Sequence, residues 1–126
     1  SQMNQVVAIA IGGALGSVLR YLFSNATHAW LGRGFPYGTL AVNVLGCLAM
    51  GFLFVLLVER VGTSTVWRAG LLIGLLGGFT TFSSFSIETF NLIEQGDWLK
   101  AMANIVLSLV LCIAGTWLGV ILARQL

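Results

Sequence analysis

The chain has few charged residues: Asp, Glu, Lys and Arg make up 8% of its 126 residues, whereas 58% are hydrophobic. A soluble domain carries about 25% charged residues, so this composition argues against one. The hydrophobic content also excludes a disordered chain. The formal net charge of +2 is small and scattered, which argues against nucleic-acid binding. A chain of this composition is expected to be surrounded by lipid.

The sequence also lacks the residue clusters that hold metals or carry out catalysis. Its one histidine, His28, is expected in a loop, and no group of His, Cys, Asp and Glu has the spacing of a metal site. Cys47 and Cys112 both fall in hydrophobic stretches. We interpret them as small apolar residues, with a disulfide between them as the open alternative. No enzyme activity is expected.

Four hydrophobic stretches cover most of the chain, at about residues 4–23, 37–58, 67–93 and 98–124. Each is close to the roughly 17 to 25 residues that cross a bilayer as a helix. Aromatic residues typical of the membrane interface lie at or just outside the stretch ends: Trp30, Tyr37, Trp67 and Trp98. No Lys or Arg precedes the first stretch, so a cleaved signal peptide is not expected. The sequence predicts an all-α membrane protein with one four-helix domain over residues 1–126.

The basic residues are divided equally between the two sides of the membrane that four spans define. One side receives Arg60, Arg68 and Arg124, and the other receives Arg20, Arg33 and Lys100. Orientation in the membrane follows an unequal distribution of Lys and Arg, which this chain does not have. Balance by chance is one explanation. We favour insertion in both orientations, which leads to an antiparallel, dual-topology homodimer.

The third stretch contains the run GGFTTFSSF, residues 77–85, near its middle. Consecutive glycines favour a break in a helix, and the hydroxyl residues that follow can satisfy the backbone groups that a break releases. A break at this depth is tolerated where it is buried in protein or faces a polar cavity. We therefore expect the third helix to be broken at the membrane centre, near residues 77–80. A hydroxyl-bearing kink without a ligand is the alternative.

Polar residues of the second and fourth stretches share helix faces. On the second the residues are Thr39, Asn43, Gly46 and Met50, and on the fourth they are Asn104, Ser108, Cys112 and Thr116. Hydrogen bonding between helices is one explanation, and the wall of a narrow path is the one that we favour. The only carboxylate expected near it is Glu88, at a mouth, which argues against a cation path or a proton-coupled exporter. Amide and hydroxyl donors, phenyl edges and an arginine suit an anion.

Six further residues accompany the run at 77–85 in order along the chain: Gly12, Gly16, Arg20, Gly38, Asn43 and Gly46. Together these motifs resemble those of the CrcB/Fluc fluoride channel family, over essentially the whole chain. The resemblance implies a fluoride-selective channel that exports fluoride passively from the cytoplasm through two narrow pores of an antiparallel dimer. It implies a multi-pass protein of the bacterial inner membrane, in lipid, with fluoride and an identical subunit as partners.

The resemblance also implies roles for individual residues. The expected fluoride pore contains two rings, an amide and four hydroxyls: Phe82, Phe85, Asn43, Ser84, Ser108, Thr116 and Thr39. Arg20 would shape the vestibule, and Glu88 would lie near the path. The backbone carbonyls of Gly77 and Thr80 would hold a structural Na⁺ at the dimer centre. Cys112 departs from the hydroxyl-rich fourth helix of the family, because a thiol is a poorer donor than a hydroxyl.

Two other classes of protein stay open on the sequence. A small dual-topology multidrug exporter has the same length, four spans and balanced charge, but it needs a membrane-embedded carboxylate, which the first stretch lacks. A helical adaptor that transports nothing is the second. Small residues at helical spacing favour close helix packing within one subunit or between subunits. They are Gly12 and Gly16, then Gly70, Gly74 and Gly78, then Gly115 and Gly119.

Overall fold

The chain is helical in the computed structural model, which describes residues 1–60 and 62–126. The α-helices are α1 (Gln2–Leu31), α2 (Tyr37–Phe54), α3 (Thr65–Arg68), α4 (Leu76–Phe79), α5 (Phe82–Glu94) and α6 (Trp98–Arg124). Two π-helical segments, Val55–Arg60 and Ala69–Leu75, continue α2 and join α3 to α4. The elements form four spans that are long and apolar enough to cross a membrane: Gln2–Leu31, Tyr37–Arg60, Thr65–Glu94 and Trp98–Arg124. The predicted all-α, multi-pass membrane protein is confirmed.

Most large hydrophobic side chains lie on the outside of the bundle. Leu15 on α1 is 57% exposed, and Trp117 on α6 is 68% exposed. The fully buried hydrophobic residues are small, such as Val42 and Ala101. This distribution is typical of helices whose outer faces contact lipid and whose inner faces pack through small residues.

The first helix is longer than the sequence predicted. Its end was expected near residue 23, whereas α1 continues to Leu31. The added residues contain no glycine or proline, so nothing in them stops a helix. The helix ends at Gly32, whose φ of 86° favours glycine. Arg20 therefore lies eleven residues before the end of α1, deeper than expected for a residue at a helix end.

His28 lies in the last turns of α1 and not in the predicted loop. Its Nε2 accepts a hydrogen bond of 3.0 Å from the backbone N–H of Gly38, at the start of α2. N–H groups in the first turn of a helix have no partner within the helix. The histidine side chain therefore joins α1 to the first turn of α2.

Glycines of α1 and of the third span allow the two backbones to touch. A Cβ added at Gly16 would lie 2.1 Å from the Leu75 carbonyl oxygen, and one added at Gly12 would lie 2.2 Å from that of Gly70. On the facing side, a Cβ at Gly74 would lie 2.8 Å from the Ile9 carbonyl oxygen. Packing within one chain thus accounts for these glycines.

The same holds between α2 and α6. A Cβ at Gly119 would lie 2.1 Å from the Leu48 carbonyl oxygen, and one at Gly51 would lie 2.1 Å from that of Thr116. The third set of small residues predicted from the sequence therefore also serves contacts inside the subunit. Glycine spacing by itself carries no argument for a second copy of the chain.

We expect Gly16→Ala to destabilise the protein by about 2 kcal/mol or more, because overpacking against backbone forces the helices apart. Gly13→Ala is the matched control, since an added Cβ there would lie 3.9 Å from its nearest neighbour, the Gly74 carbonyl oxygen. The measurement is the fraction of detergent-solubilised protein that stays monodisperse after heating. Equal heat resistance of the two variants would contradict the close contact.

Two residues in the middle of the third span have extended backbone. Thr80 (φ −96°, ψ 160°) follows the end of α4 at Phe79, and Thr81 (φ −154°, ψ 119°) precedes the start of α5 at Phe82. They lie halfway along a span of 30 residues. The membrane-crossing helix thus loses its regular hydrogen bonds at that level.

The tandem glycines remain helical, and the extended residues lie at the end of the predicted range, 77–80, and one residue beyond it. Gly77 and Gly78 both belong to α4. Gly78 allows close approach to α1, because a Cβ there would lie 2.7 Å from the Gly13 carbonyl oxygen. The extended residues are the two threonines, and the backbone N–H and carbonyl of Thr81 bind a side chain of α2.

Candidate functional site

The side-chain amide of Asn43 binds both backbone groups of Thr81. Its Nδ2 donates to the Thr81 carbonyl oxygen at 3.0 Å, and the Thr81 N–H donates to its Oδ1 at 2.8 Å. Backbone groups that are unpaired at membrane depth cost several kcal/mol, and this pair of bonds satisfies two of them. It also fixes where α5 begins. The second N–H of the Asn43 amide is not used by this pair of bonds.

Thr81 also caps α5. Its Oγ1 accepts a hydrogen bond of 3.1 Å from the Ser84 backbone N–H and lies 3.1 Å from the Ser84 hydroxyl, to which it donates. The Ser84 hydroxyl hydrogen is therefore free to donate elsewhere. The N-terminus of a helix carries a partial positive charge that favours an anion. The joint between α4 and α5 thus combines polar side chains with the positive end of α5.

A groove of about 300 Å³ lies beside this joint, between α2, the third span and α6. It brings together six of the residues that the sequence analysis selected: Asn43, Gly77, Thr80, Phe82, Phe85 and Ser108. The ring centroids of Phe82 and Phe85 are 5.3 Å apart with an interplanar angle of 43°. Phe82 is 74% exposed in the single chain.

A second, smaller cavity of about 160 Å³ also lies at the joint, and Thr81 lines both spaces. It brings together four further selected residues: Arg20, Thr39, Ser84 and Glu88. Residues from α1, α2 and α5 thus meet here, although they are far apart in the sequence. We call this space the Arg20 cavity.

Hydrogen bonds hold both charged residues of the Arg20 cavity. Arg20 donates from Nε to the Gly78 carbonyl oxygen at 3.0 Å, which leaves its two terminal nitrogens out of that bond. Thr39 donates from Oγ1 to Oε1 of Glu88 at 2.5 Å. The second oxygen of Glu88 is buried and has no hydrogen-bond partner among the residues that the structure describes. The cavity therefore holds a fixed cation and a carboxylate with acceptor capacity to spare.

Polar residues of α5 and α6 form a second group of hydrogen bonds. Asn104, 2% exposed, donates from Nδ2 to the Thr89 hydroxyl at 2.9 Å. That hydroxyl donates to the Phe85 carbonyl oxygen at 2.7 Å, and the Ser108 hydroxyl donates to Oδ1 of Asn104 at 3.4 Å. Thr89 was not predicted from the sequence, although its position four residues after Phe85 places it on the same face of the helix. This network joins α6 to the backbone of α5 at Phe85.

Thr116, the remaining selected residue, is separate from the others. It lines neither the groove nor the Arg20 cavity. Its carbonyl group instead packs against Gly51 of α2. In the described structure Thr116 therefore contributes to the packing of α6 against α2, whereas the other predicted site residues line the groove or the Arg20 cavity.

The groove exposes a backbone carbonyl that the helix does not use. In an α-helix the Gly77 carbonyl would accept from the N–H of residue 81, but the Thr81 N–H donates to Asn43, and the Thr80 N–H donates to Leu76. Gly77 is exposed and lines the groove, and in the described part of the chain nothing outside its own turn of helix lies within 4 Å of a Cβ added there. A free, accessible carbonyl oxygen suits a hard cation. One chain supplies too few oxygens to complete such a site.

Comparison with known proteins gives consistent matches. The family described as "CrcB-like protein, Camphor Resistance (CrcB)" matches residues 7–120. Proteins from two strains of Coxiella burnetii, named "Fluoride-specific ion channel FluC", are each 55% identical over 122 residues, which is 96% of this chain and 98% of each relative. A Methylococcus capsulatus protein with the same name is 51% identical over 119 residues. That match covers 94% of this chain and only 52% of the relative, so the chain spans about half of that protein.

Proposed function

The chain belongs to the CrcB-like protein family, and from this premise we propose that it is a fluoride-selective channel that exports fluoride passively from the cytoplasm. The joint between α4 and α5 carries the proposal, because Asn43 binds Thr81 there beside the rings of Phe82 and Phe85. An anion that loses its water at this point meets amide, hydroxyl and phenyl-edge donors. The relatives are named as ion channels, a family that is not enzymatic.

Fluoride would pass between the Arg20 cavity and the groove at Thr81, the residue that lines both. Arg20 attracts the anion into the cavity. The Ser84 hydroxyl, the free N–H of Asn43 and the ring edges of Phe82 and Phe85 then replace its water molecules. Thr39 holds the Glu88 carboxylate by a hydrogen bond, which limits how closely that negative charge approaches the ion. Thr116 lines neither the groove nor the Arg20 cavity, so we leave its hydroxyl out of this path.

The proposed assembly is an antiparallel homodimer with two pores. The balanced distribution of basic residues supports insertion in both orientations. The exposed ring of Phe82 supports a second subunit that closes the groove, because the groove is open on one side in a single chain. A C-terminal tag tests the orientation: accessibility from both faces of the membrane is expected, and accessibility from one face alone would contradict it. In a bacterium the inner membrane would hold this dimer.

A structural Na⁺ is proposed at the centre of the dimer. The Gly77 carbonyl released by the joint supports this site, and the Thr80 carbonyl would be the second ligand from each chain. An in-membrane two-fold axis can pass only at mid-depth, where the two extended residues lie in their span. Two inverted copies would then supply four carbonyl oxygens, the ligand type that hard cations take. The ion would join the subunits and take no part in fluoride transfer.

We expect Ser108→Ala to reduce fluoride efflux less than any change to Asn43, Phe82 or Phe85. The Ser108 hydroxyl donates to Asn104 at 3.4 Å, a long bond, and other donors line the same groove. The measurement is the initial rate of fluoride efflux from liposomes. Complete loss of efflux would show that Ser108 is an essential ligand and that the ranking of residues is wrong.

Growth of a fluoride-sensitive bacterium tests the proposed export. Cells that express the chain are expected to grow at fluoride concentrations that stop the parent strain, with no change in tolerance to chloride. Failure to protect cells in which the protein is present in the membrane would contradict the proposal.

A further inference from the structure

The two cysteines of the chain lie side by side across the contact between α2 and α6. The helices approach closely at this level, because a Cβ added at Gly115 would lie 3.3 Å from the Val44 carbonyl oxygen. Cys47 of α2 and Cys112 of α6 line the same groove between these helices. Both cysteines are free and half-buried. The chain therefore contains a thiol pair inside the membrane-spanning region, and not the disulfide that the sequence left open.

Both thiols face the groove, together with a third sulfur atom. Cys47, Cys112 and Met50 all line this space. Met50 follows Cys47 by three residues, so the two share one face of α2. Among the residues that line the groove there is no carboxylate or imidazole. The ligands available at this wall are soft sulfur atoms and neutral hydroxyl or amide groups.

We propose that Cys47 and Cys112 form a binding site for a soft, thiophilic divalent cation, of which Hg²⁺ is the probe. Each thiol releases its proton to water, and each sulfur then forms one bond to the metal, with no change in oxidation state. Two thiolates neutralise a divalent ion, so the complex carries no net charge. A neutral complex avoids the cost of a charge at membrane depth. The Met50 thioether is placed to act as a third, neutral ligand.

The same geometry argues against harder cations. Zinc in structural sites takes four ligands, and soft sulfur ligands select soft metals. In the described part of the chain no group of three or more His, Cys, Asp or Glu residues could hold a metal. Zn²⁺ therefore serves as the control ion, with the same charge as the probe but without enough ligands here.

Occupation of this site would block fluoride movement, a consequence that rests on the proposed function. The metal would lie in the groove that also contains Phe85 and Ser108. A bound ion takes space from a narrow path and replaces two thiol donors with sulfur atoms that donate no hydrogen bond. Fluoride efflux is therefore expected to be lost when Hg²⁺ binds and to be unaffected by Zn²⁺.

The binding arm of the test needs no fluoride. The intact protein in detergent receives one equivalent of Hg²⁺ per chain, and its free thiols are then counted; the chain has 2 cysteines. We expect both thiols to be masked, with the ultraviolet absorption of a thiolate–mercury complex. One masked thiol and one free thiol would overturn the proposal. The single variants Cys47→Ser and Cys112→Ser each keep one thiol. If half an equivalent of Hg²⁺ per chain masks that thiol, mercury bridges two copies of the chain, and this result would also overturn the proposal.

The transport arm compares fluoride efflux with and without Hg²⁺ in each variant, so each protein is its own reference. Either single serine variant should need a higher Hg²⁺ concentration for half-maximal loss of efflux, and Cys47→Ser/Cys112→Ser should be insensitive. Inhibition of the double variant equal to that of the natural chain would contradict the site. If Hg²⁺ masks both thiols but the liposomes show no fluoride efflux, the proposed function fails and the thiol site stands. If the liposomes show fluoride efflux but one equivalent of Hg²⁺ leaves a thiol free, the thiol site fails and the proposed function stands.

Discussion

Asn43→Asp is expected to remove most fluoride efflux and to destabilise the joint between α4 and α5. The carboxylate keeps the acceptor for the Thr81 N–H but loses the donor to the Thr81 carbonyl. An unsatisfied buried group costs about 1–3 kcal/mol. The new negative charge also repels an anion in the groove. Because about 1.4 kcal/mol of added barrier slows a process tenfold, efflux from liposomes should fall at least tenfold.

Asn4→Asp is the matched control for this change. Asn4 is exposed near the start of α1, so the same substitution adds the same charge without touching the joint. Its efflux rate and its heat resistance in detergent should equal those of the unchanged chain. Efflux of Asn43→Asp at the unchanged rate would remove Asn43 from the path, whatever its effect on stability.

Phe82→Ile and Phe85→Ile are each expected to cut fluoride efflux about tenfold or more, which corresponds to about 1.4 kcal/mol of lost stabilisation. The positive ring edges are lost, whereas the apolar bulk is largely kept. Phe82 is 74% exposed in the single chain, so its replacement should cost little folding stability. Size-exclusion chromatography in detergent is expected to show an unchanged assembly.

Phe90→Ile provides the control on the same helix. Phe90 is 53% exposed and does not line the groove or the Arg20 cavity. Its efflux should match that of the unchanged chain. If the Phe82 and Phe85 variants also keep full efflux, the two rings are structural and the phenyl-edge argument is wrong.

Membrane-protein physics made the fold predictable from the sequence. Each span is a long apolar stretch, and a bilayer permits few structures other than helices for such stretches. The grouping of Asn43 with Phe82 and Phe85 was also predictable, because helical spacing and depth within the span place these residues at one level. Composition alone gave no indication of fluoride, which came from the motifs around residues 77–85.

Details that depend on tertiary contacts were not predictable in the same way. The tandem glycines suggested where the helix would change, but Gly78 stays helical because it packs against α1. The side chain of Asn43 instead determines that Thr81 is extended. Likewise, His28 continues α1 and bonds Gly38, which hydropathy cannot detect because that turn is polar. In both cases a residue distant in the sequence decides the local structure.

Efflux from liposomes that contain the purified chain, with potassium fluoride and potassium chloride in parallel preparations, tests the central claim most directly. An ion-selective electrode should record rapid fluoride release once a potassium ionophore balances the charge, with no applied proton gradient and no chloride release. Equal release of chloride would contradict selectivity. No fluoride release, or transport of organic cations driven by a proton gradient, would contradict the channel itself.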